Sequence, residues 1–355
     1  MVLTSVSMDE YLALENRLAA LIESDAIDEA AFRDAALAVH RFQRQHNEPL
    51  ANYCELRGTP LAIQDWREIP AVPQGVFKRF RLSVAPPEAM TKTFLTSGTT
   101  GEARGQHHFL NTRLYDTAVV CGWQRLALPS LRTLILTPPP ADAPHSSLSH
   151  MFGVLAARES ARFCVTAEGR LDLDAIAGDL DPGKPVAALG TALAFLNLFE
   201  QLGDQRLPLA PGSFALETGG YKGSGRDIPK PDLYAMFGTY LNLPSDQILN
   251  EYGMTELSSQ CYTRGLDRPH AAPPWLRALV IDPETGKEVA IGETGILQLF
   301  DLANLGSSLA IETQDLAIRE TAGFTLLGRD PGALPRGCSR AADETLRGSQ
   351  AGRMS

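Results

Sequence analysis

The sequence predicts an α/β protein: a largely parallel sheet flanked by helices, followed by a small antiparallel β unit. Three observations lead there. Between residues 91 and 274, short apolar runs alternate with helix-spaced stretches, the pattern of parallel strands joined by crossover helices. After Trp275 the helical spacing stops, and short strands separated by turn residues take over. At 355 residues, with 44% hydrophobic and 21% charged side chains, the chain is long enough to bury a sizeable core. That length suits two domains, or one large domain with subdomains.

In chain order, residues 8–46 carry apolar side chains at helical spacing. Tyr11, Leu12, Leu14, Leu18 and Leu21 mark one amphipathic helix, and Phe32, Ala36, Val39 and Phe42 mark the next. Residues 60–87 are rich in proline, including Ile-Pro-Ala-Val-Pro at 69–73, which predicts an extended, irregular lead-in carrying Phe77 and Lys78. A short β-prone run follows at 91–95. Helices are expected at 115–126, 146–158, 171–180, 192–201 and 232–241. Strands are expected at 131–137, 161–166, 185–190, 212–218 and 247–251. Residues 279–289, with Asp-Pro-Glu-Thr-Gly at their centre, form a hairpin on this reading, and 296–300, 310–313 and 324–327 add strands. Beyond Gly328 the chain turns polar and rich in glycine and arginine, as a poorly ordered end does.

Charge and composition exclude several classes. The net charge of −10, from 32 Lys and Arg against 42 Asp and Glu, argues against nucleic acid or an anionic membrane surface as the main partner. No apolar run approaches membrane-spanning length and no basic-then-apolar leader opens the chain, so a cytoplasmic protein is expected. Cys54, Cys121, Cys164, Cys261 and Cys338 lack the short spacing of a zinc knuckle or a disulfide framework. His107 and His108 are neighbours on an extended segment and point oppositely, so one metal site does not take both. These two and His150 read either as lining or proton-shuttling groups or as packing residues, and packing is the simpler expectation.

The run Thr-Ser-Gly-Thr-Thr-Gly-Glu-Ala-Arg-Gly at 96–105 suits an anion. Gly98 and Gly101 allow backbone N–H groups to approach closely, Ser97, Thr99 and Thr100 offer hydroxyl donors, and Arg104 adds positive charge before Gly105. An ordinary loop has the same composition. A second cluster, Asn-Glu-Tyr-Gly-Met-Thr-Glu at 250–256, lies at the carboxyl end of an expected strand, where ligands of open α/β sheets bind. There Tyr252 could stack on adenine beside Gly253, Thr255 could donate to a phosphate, and Glu256 could hold Mg2+. Upstream, Gly219 and Gly220 could bring backbone against a flat base. The alternative is a glycine turn with a satisfied surface carboxylate. A P-loop is discounted because Arg226 and Asp227 stand where its Lys and Ser/Thr would be, and neither a dinucleotide fingerprint nor a hydrolase elbow is present.

Together these residues resemble a known family. The runs at 96–105 and 250–256, Glu-Thr-Gln-Asp at 312–315 and Gly-Arg-Asp at 328–330 look like four ordered motifs of the acyl-adenylate-forming superfamily. Within it, the sequence is similar to the acyl-protein synthetase family of bacterial bioluminescence (long-chain-fatty-acid–protein ligases), related to phenylacetate–CoA ligases. Also similar to that branch are the 69–73 run with Phe77 and Lys78, Glu-Thr-Gly-Gly-Tyr-Lys-Gly at 217–223, and Arg-Gly-Cys-Ser at 336–339. The likeness implies the superfamily's large N-terminal domain. It divides the chain into N-terminal helices and lead-in (1–90), a nucleotide-binding core (91–274), the antiparallel unit (275–328), and a hinge with a short tail (329–355).

It further implies an ATP-dependent enzyme that turns a carboxylic acid, fatty or aryl, into an acyl-AMP with release of pyrophosphate. On that likeness, Ser97, Gly98, Thr99, Thr100 and Gly101 cradle the β- and γ-phosphates, while Gly219 and Gly220 bracket adenine with Tyr252 and Gly253. Asn250 reads the adenine amino group, Thr255 touches the α-phosphate, Glu256 binds Mg2+, and Asp315 and Arg329 hold the ribose hydroxyls. The superfamily loop usually carries lysine where this chain has Arg104, which keeps the charge and changes its geometry. The superfamily's mobile C-terminal domain with a catalytic lysine is expected to be absent or vestigial, since no lysine follows Lys287; Lys222 or Arg336 could substitute. Cys338, between Arg336 and Arg340, is the candidate thiol that accepts the acyl group, with an incidental tail cysteine as the alternative. Acyl–CoA ligation and a non-catalytic ATP- or acyl-AMP-binding role are the competing functions. The acid, an acyl-accepting protein or reductase, and oligomerisation are not legible in the sequence.

Overall fold

A computed structural model describes residues 7–24, 26–96, 103–166, 169–221, 225, 226 and 228–330. The amphipathic N-terminal pattern folds as α1 (Met8–Glu23) and α2 (Glu29–His46), whose Tyr11, Leu18, Phe32, Val39 and Phe42 enter one core while Leu12 stays exposed. The Asp28 side chain caps α2 by accepting from Ala31 N–H. A third helix, α3 (Glu48–Leu56), was not expected. Asn47 ends α2 and caps α3 through Leu50 N–H, and a proline in the first turn of α3 needs no hydrogen bond there. The proline-rich lead-in forms short 3-10 turns and β1 (Val72–Pro73), then reaches the hairpin β2 (Lys92–Leu95) and β3 (Gln106–Phe109) that brackets the glycine run.

The core follows as α4 (Arg113–Arg125), β4 (Arg132–Ile135), α5 (Ser147–Ala156), β5 (Ala161–Phe163), α6 (Leu173–Gly178), β6 (Val186–Thr191) and α7 (Ala192–Leu202). After these come β7 (Phe214–Thr218), α8 (Lys230–Leu241), β8 (Ile248–Tyr252) and β9 (Cys261–Arg264). Side-chain caps from Ser146, Asp172 and Thr191 start α5, α6 and α7, and Asn242 in the left-handed conformation ends α8. The sheet order is β5-β4-β6-β7-β8-β9, parallel except for the edge strand β9. Helices cover both faces, as a parallel sheet requires: α7 and α8 on one, α4, α5 and the β2–β3 hairpin on the other.

The second sheet contains β10 (Leu276–Ile281), β11 (Thr294–Asp301), β12 (Ala310–Glu320) and β13 (Gly323–Arg329), with β1 added in parallel to β12. The expected 279–289 hairpin is only partly present. The Asp282 turn closes through Gly286 N–H to the Asp282 carbonyl, yet the return arm makes a single bridge, Glu288 to Ile281, and β10 pairs along its length with β11. The return arm, Glu288-Val-Ala-Ile-Gly, buries only Val289 and Ala's neighbour side chains stay wet, so it lacks a second apolar row to pair with. Among the described residues no helix is long and apolar enough to cross a membrane.

The two sheets are joined where residues 270 and 271 cross β13. His270 and Phe324 exchange backbone hydrogen bonds of 2.8 and 3.1 Å, and their rings stack. Gly323 makes this crossing possible: its φ is +132°, and a Cβ there would overlap the His270 carbonyl. Gly323→Ala is expected to lower the unfolding free energy by about 2–4 kcal/mol, from strain plus overpacking, as measured by urea denaturation.

Candidate functional site

The carboxyl ends of β7 and β8 lie side by side, pairing Glu217 with Asn250 and Thr218 with Glu251. The chain leaves β7 through Gly219, at φ +68°, and Gly220; among the described residues neither has an atom within 4 Å of where a Cβ would stand. It leaves β8 through Gly253, Met254, Thr255 and Glu256.

Glu256 is buried and reaches the neck of the glycine run. Its Oε1 lies 3.6 Å from the Cβ position of Gly105 and accepts from Gln74 Nε2 at 3.2 Å. The neck itself is closed by Gly105 N–H donating to Thr96 Oγ1 at 2.8 Å. Arg104 donates from Nε to the Thr96 carbonyl at 2.6 Å, so its guanidinium clamps the loop's own backbone. Ser97, Gly98, Thr99, Thr100 and Gly101 lie outside the described residues, as do Cys338, Lys222 and Arg336.

A second group gathers on the other side of β8. Tyr252 is buried, donates its hydroxyl to Asp315 Oδ2 at 2.8 Å, and meets Phe324 edge-on. Burial, then the Asp315 charge, raises the Tyr252 pKa well above its ordinary value, so the phenol remains a donor. Asp315 and Arg329 are cross-strand partners in β12 and β13. Asn250 points inward: Nδ2 donates to the Glu217 carbonyl at 3.2 Å, and Oδ1 accepts from His270 Nε2 at 2.7 Å. Burial holds the His270 pKa down at about 4, so the ring is neutral with its proton on Nε2.

Several residues around the site lie outside the motifs that mark it. His107 is buried beneath the turn; burial pushes its pKa down to about 4, and the neutral ring donates from Nδ1 to the Thr255 carbonyl at 2.8 Å while Nε2 accepts from Ser307 at 2.9 Å. Its neighbour His108 instead meets Thr93 Oγ1, and His150 pairs with Asp116. Asn304 Nδ2 donates to the Glu256 carbonyl at 2.9 Å, and Asp301 accepts from Ser258 N–H and the Ser259 hydroxyl. From α2, Gln43 binds the carbonyls of Asn304 and Leu305. The run Asp-Leu-Ala-Asn-Leu-Gly-Ser-Ser at 301–308 was the available hint, and its turn-forming residues specify a turn without naming partners.

Two buried carboxylates flank the turn on opposite faces. Glu217 takes Lys230 and Tyr234, each at 3.1 Å. Glu251 takes a hydrogen bond from Thr218, while burial and the Glu217 charge push its pKa from 4.5 to about 7. The folded chain therefore holds a proton that the unfolded chain releases. That stabilisation is complete below pH 4.5 and is lost as pH rises through about 7. Between those limits the stability of the wild type should fall relative to Glu251→Gln by on the order of 2–3 kcal/mol, read from urea unfolding at several pH values.

No family model matches the sequence. Over 294 residues the chain is 21% identical to the long-chain-fatty-acid–luciferin-component ligase of Vibrio harveyi, covering 79% of this chain and 76% of that one. To the ligase of the same description from Aliivibrio fischeri it is 22% identical over 295 residues, covering 78% and 76%. Among solved structures, a 2-hydroxyisobutyryl-CoA ligase in complex with 2-HIB-AMP matches with a TM-score of 0.63 at 16% identity, over 85% of this chain and 67% of that one. ATP-bound MatB from Rhodopseudomonas palustris matches with a TM-score of 0.50 at 20% identity, over 68% of this chain; the match spans 48% of that protein, about half its length. The structure shares the fold of these solved ligases, and the sequence is similar to the two luciferin-component ligases over about three quarters of either chain.

Proposed function

We propose that this chain is an ATP-dependent ligase that activates a carboxylic acid as its acyl-AMP and passes the acyl group to a thiol. The observation that carries the reading is the meeting of Glu256 with the neck of the glycine run, the same carboxylate being held by Gln74, 182 residues before it in the chain. An anionic oxygen donor beside a loop built for phosphate fits a hard divalent cation, so Glu256 would hold Mg2+. When bound, that ion neutralises triphosphate charge.

The remaining roles follow from position. The run at 97–101 would receive the β- and γ-phosphates, and Thr255, fixed through its carbonyl by His107, would direct its hydroxyl at the α-phosphate. Gly219 and Gly220 leave room for a flat base against Tyr252 and Gly253. Asp315 and Arg329, neighbours across two strands, would take the ribose hydroxyls, with Tyr252 orienting the aspartate. Asn250, bonded to Glu217 and His270, would act on adenine mainly by fixing the spacing of β7 and β8. In the reaction, a carboxylate oxygen attacks the α-phosphorus and pyrophosphate leaves; the demand is for charge neutralisation and alignment more than for proton transfer. Cys338 is proposed as the thiol that then attacks the acyl carbonyl and releases AMP. A cytoplasmic setting fits a chain that uses ATP and a free thiol.

Glu256→Gln is expected to reduce acid-dependent pyrophosphate–ATP exchange by roughly 10²–10³-fold with an unchanged circular dichroism spectrum. Exchange that persists at the wild-type rate would remove Glu256 from the reading. Cys338→Ser should retain exchange yet lose the acyl adduct seen by intact-protein mass spectrometry after incubation with acid and ATP. An adduct of full yield in that variant would assign the thiol elsewhere.

A further inference from the structure

Glu251 has no part in the roles set out above, and its surroundings are unusual. Strand alternation and register send Thr218, Glu251 and Tyr262 to one face of the large sheet, with Glu251 between the other two. That face is otherwise apolar: Leu216, Leu249 and Tyr262 pack there with Phe94, Tyr115 and Phe152. One carboxylate oxygen of Glu251 takes the Thr218 hydroxyl. The other, Oε1, occupies the space that a Cβ at Gly253 would fill, and Gly253 itself is exposed on the turn leading to Thr255 and Glu256. The charge acting on Glu251 is that of a second carboxylate, Glu217, and among the described residues no cation pairs with it. Opposite it, the buried Tyr262 hydroxyl has no hydrogen-bond partner among the described residues.

An acid and a phenol left with spare bonding capacity at the rim of an apolar face, next to the proposed nucleotide turn, call for a ligand group that donates hydrogen bonds. We propose that Glu251 and Tyr262 form a polar subsite for the acid substrate, and that this chain activates a carboxylic acid bearing an ammonium group in preference to a plain alkyl acid. The proposal rests on the acyl-adenylate reading and specifies its substrate class. An ammonium would donate to Oε1 of Glu251 and to the Tyr262 oxygen, supplying the counter-charge that the protein does not. An alkyl chain in the same place would cover Oε1 and leave it unsatisfied, a loss of roughly tenfold to a hundredfold in affinity.

The test uses calorimetric titration of the full chain with non-hydrolysable acyl-sulfamoyl adenosines. The series carries an amino group at successive carbons of a short straight acyl chain, each member matched to its methyl counterpart. At least one amino member should bind the wild type about tenfold or more tightly than its methyl match, and Glu251→Gln should reduce that preference toward unity, chiefly by weakening the amino member. Tyr262→Phe should reduce it partially. Equal binding of every matched pair to the wild type, or a preference that survives Glu251→Gln, overturns the subsite and leaves the adenylate reading standing. Failure of all members to bind overturns the adenylate reading as well. The wild-type comparison decides the matter alone if a variant does not fold.

Discussion

The structure depends on satisfying the backbone of two irregular segments that run through its interior. Residues 255–260 and 301–309 are almost wholly buried, yet each contains loop backbone whose amides and carbonyls cannot pair in a ladder. Asp301, Asn304, Gln43 and His107 complete that hydrogen bonding, with bonds of 2.7–3.1 Å to both segments. Each unmade bond in such a place costs about 1–3 kcal/mol, so the network favours one arrangement of the turn strongly. Asp301 carries this load as a buried acid: burial pushes its pKa up to about 6, while Ser258, Ser259 and Ala303 offset part of that rise by donating to it. Trp275 extends the network, its indole N–H donating to the Ser259 hydroxyl at 3.0 Å.

This arrangement explains how remote pieces of chain acquire a common geometry. The segment preceding β2 contributes Gln74, β8 contributes Tyr252 and the turn, and β12 contributes Asp315. None of these groups is placed by its own strand alone. Tyr252 is held by a carboxylate of the other sheet, and Glu256 by an amide from the proline-rich lead-in. Helix α2 and the Asn47 that caps it enter the same system from outside, because Gln43 and Asn47 bond the 304–309 segment directly. The role of α2 is thus to fasten the floor of the candidate site as well as to cover a core.

Much of the α/β part is legible in the sequence because its strands are buried on both faces and its helices keep a clear 3.6-residue period. The runs that become β6 and β7, for example, are short, apolar and closed by turn residues at both ends. Legibility fails where tertiary contacts override local pattern. Helix α3 begins with a proline close behind α2, so its start reads as an interruption. The arm after Asp282 has good turn chemistry, but β11 offers β10 a longer apolar row. For the site, glycine and hydroxyl spacing marks both clusters, since backbone approach to an anion constrains residue type. It says nothing about Gln74, His107, Asn304 or Asp301, whose polar atoms matter only because distant backbone meets them. Arg104 shows the same limit from the other side: its charge is visible in the sequence, and its use as a clamp on Thr96 is not.

Gly253 carries a consequence of its own. Its backbone lies outside the left-handed region, so nothing in its dihedral angle demands glycine; the Glu251 carboxylate occupies the volume that a side chain would take. A methyl group at 253 fits only if that carboxylate swings away from Thr218. The two positions are therefore bound together in descent. A side chain at 253 is accommodated either by a smaller residue at 251 or by a carboxylate turned off Thr218, so each position limits what the other can be.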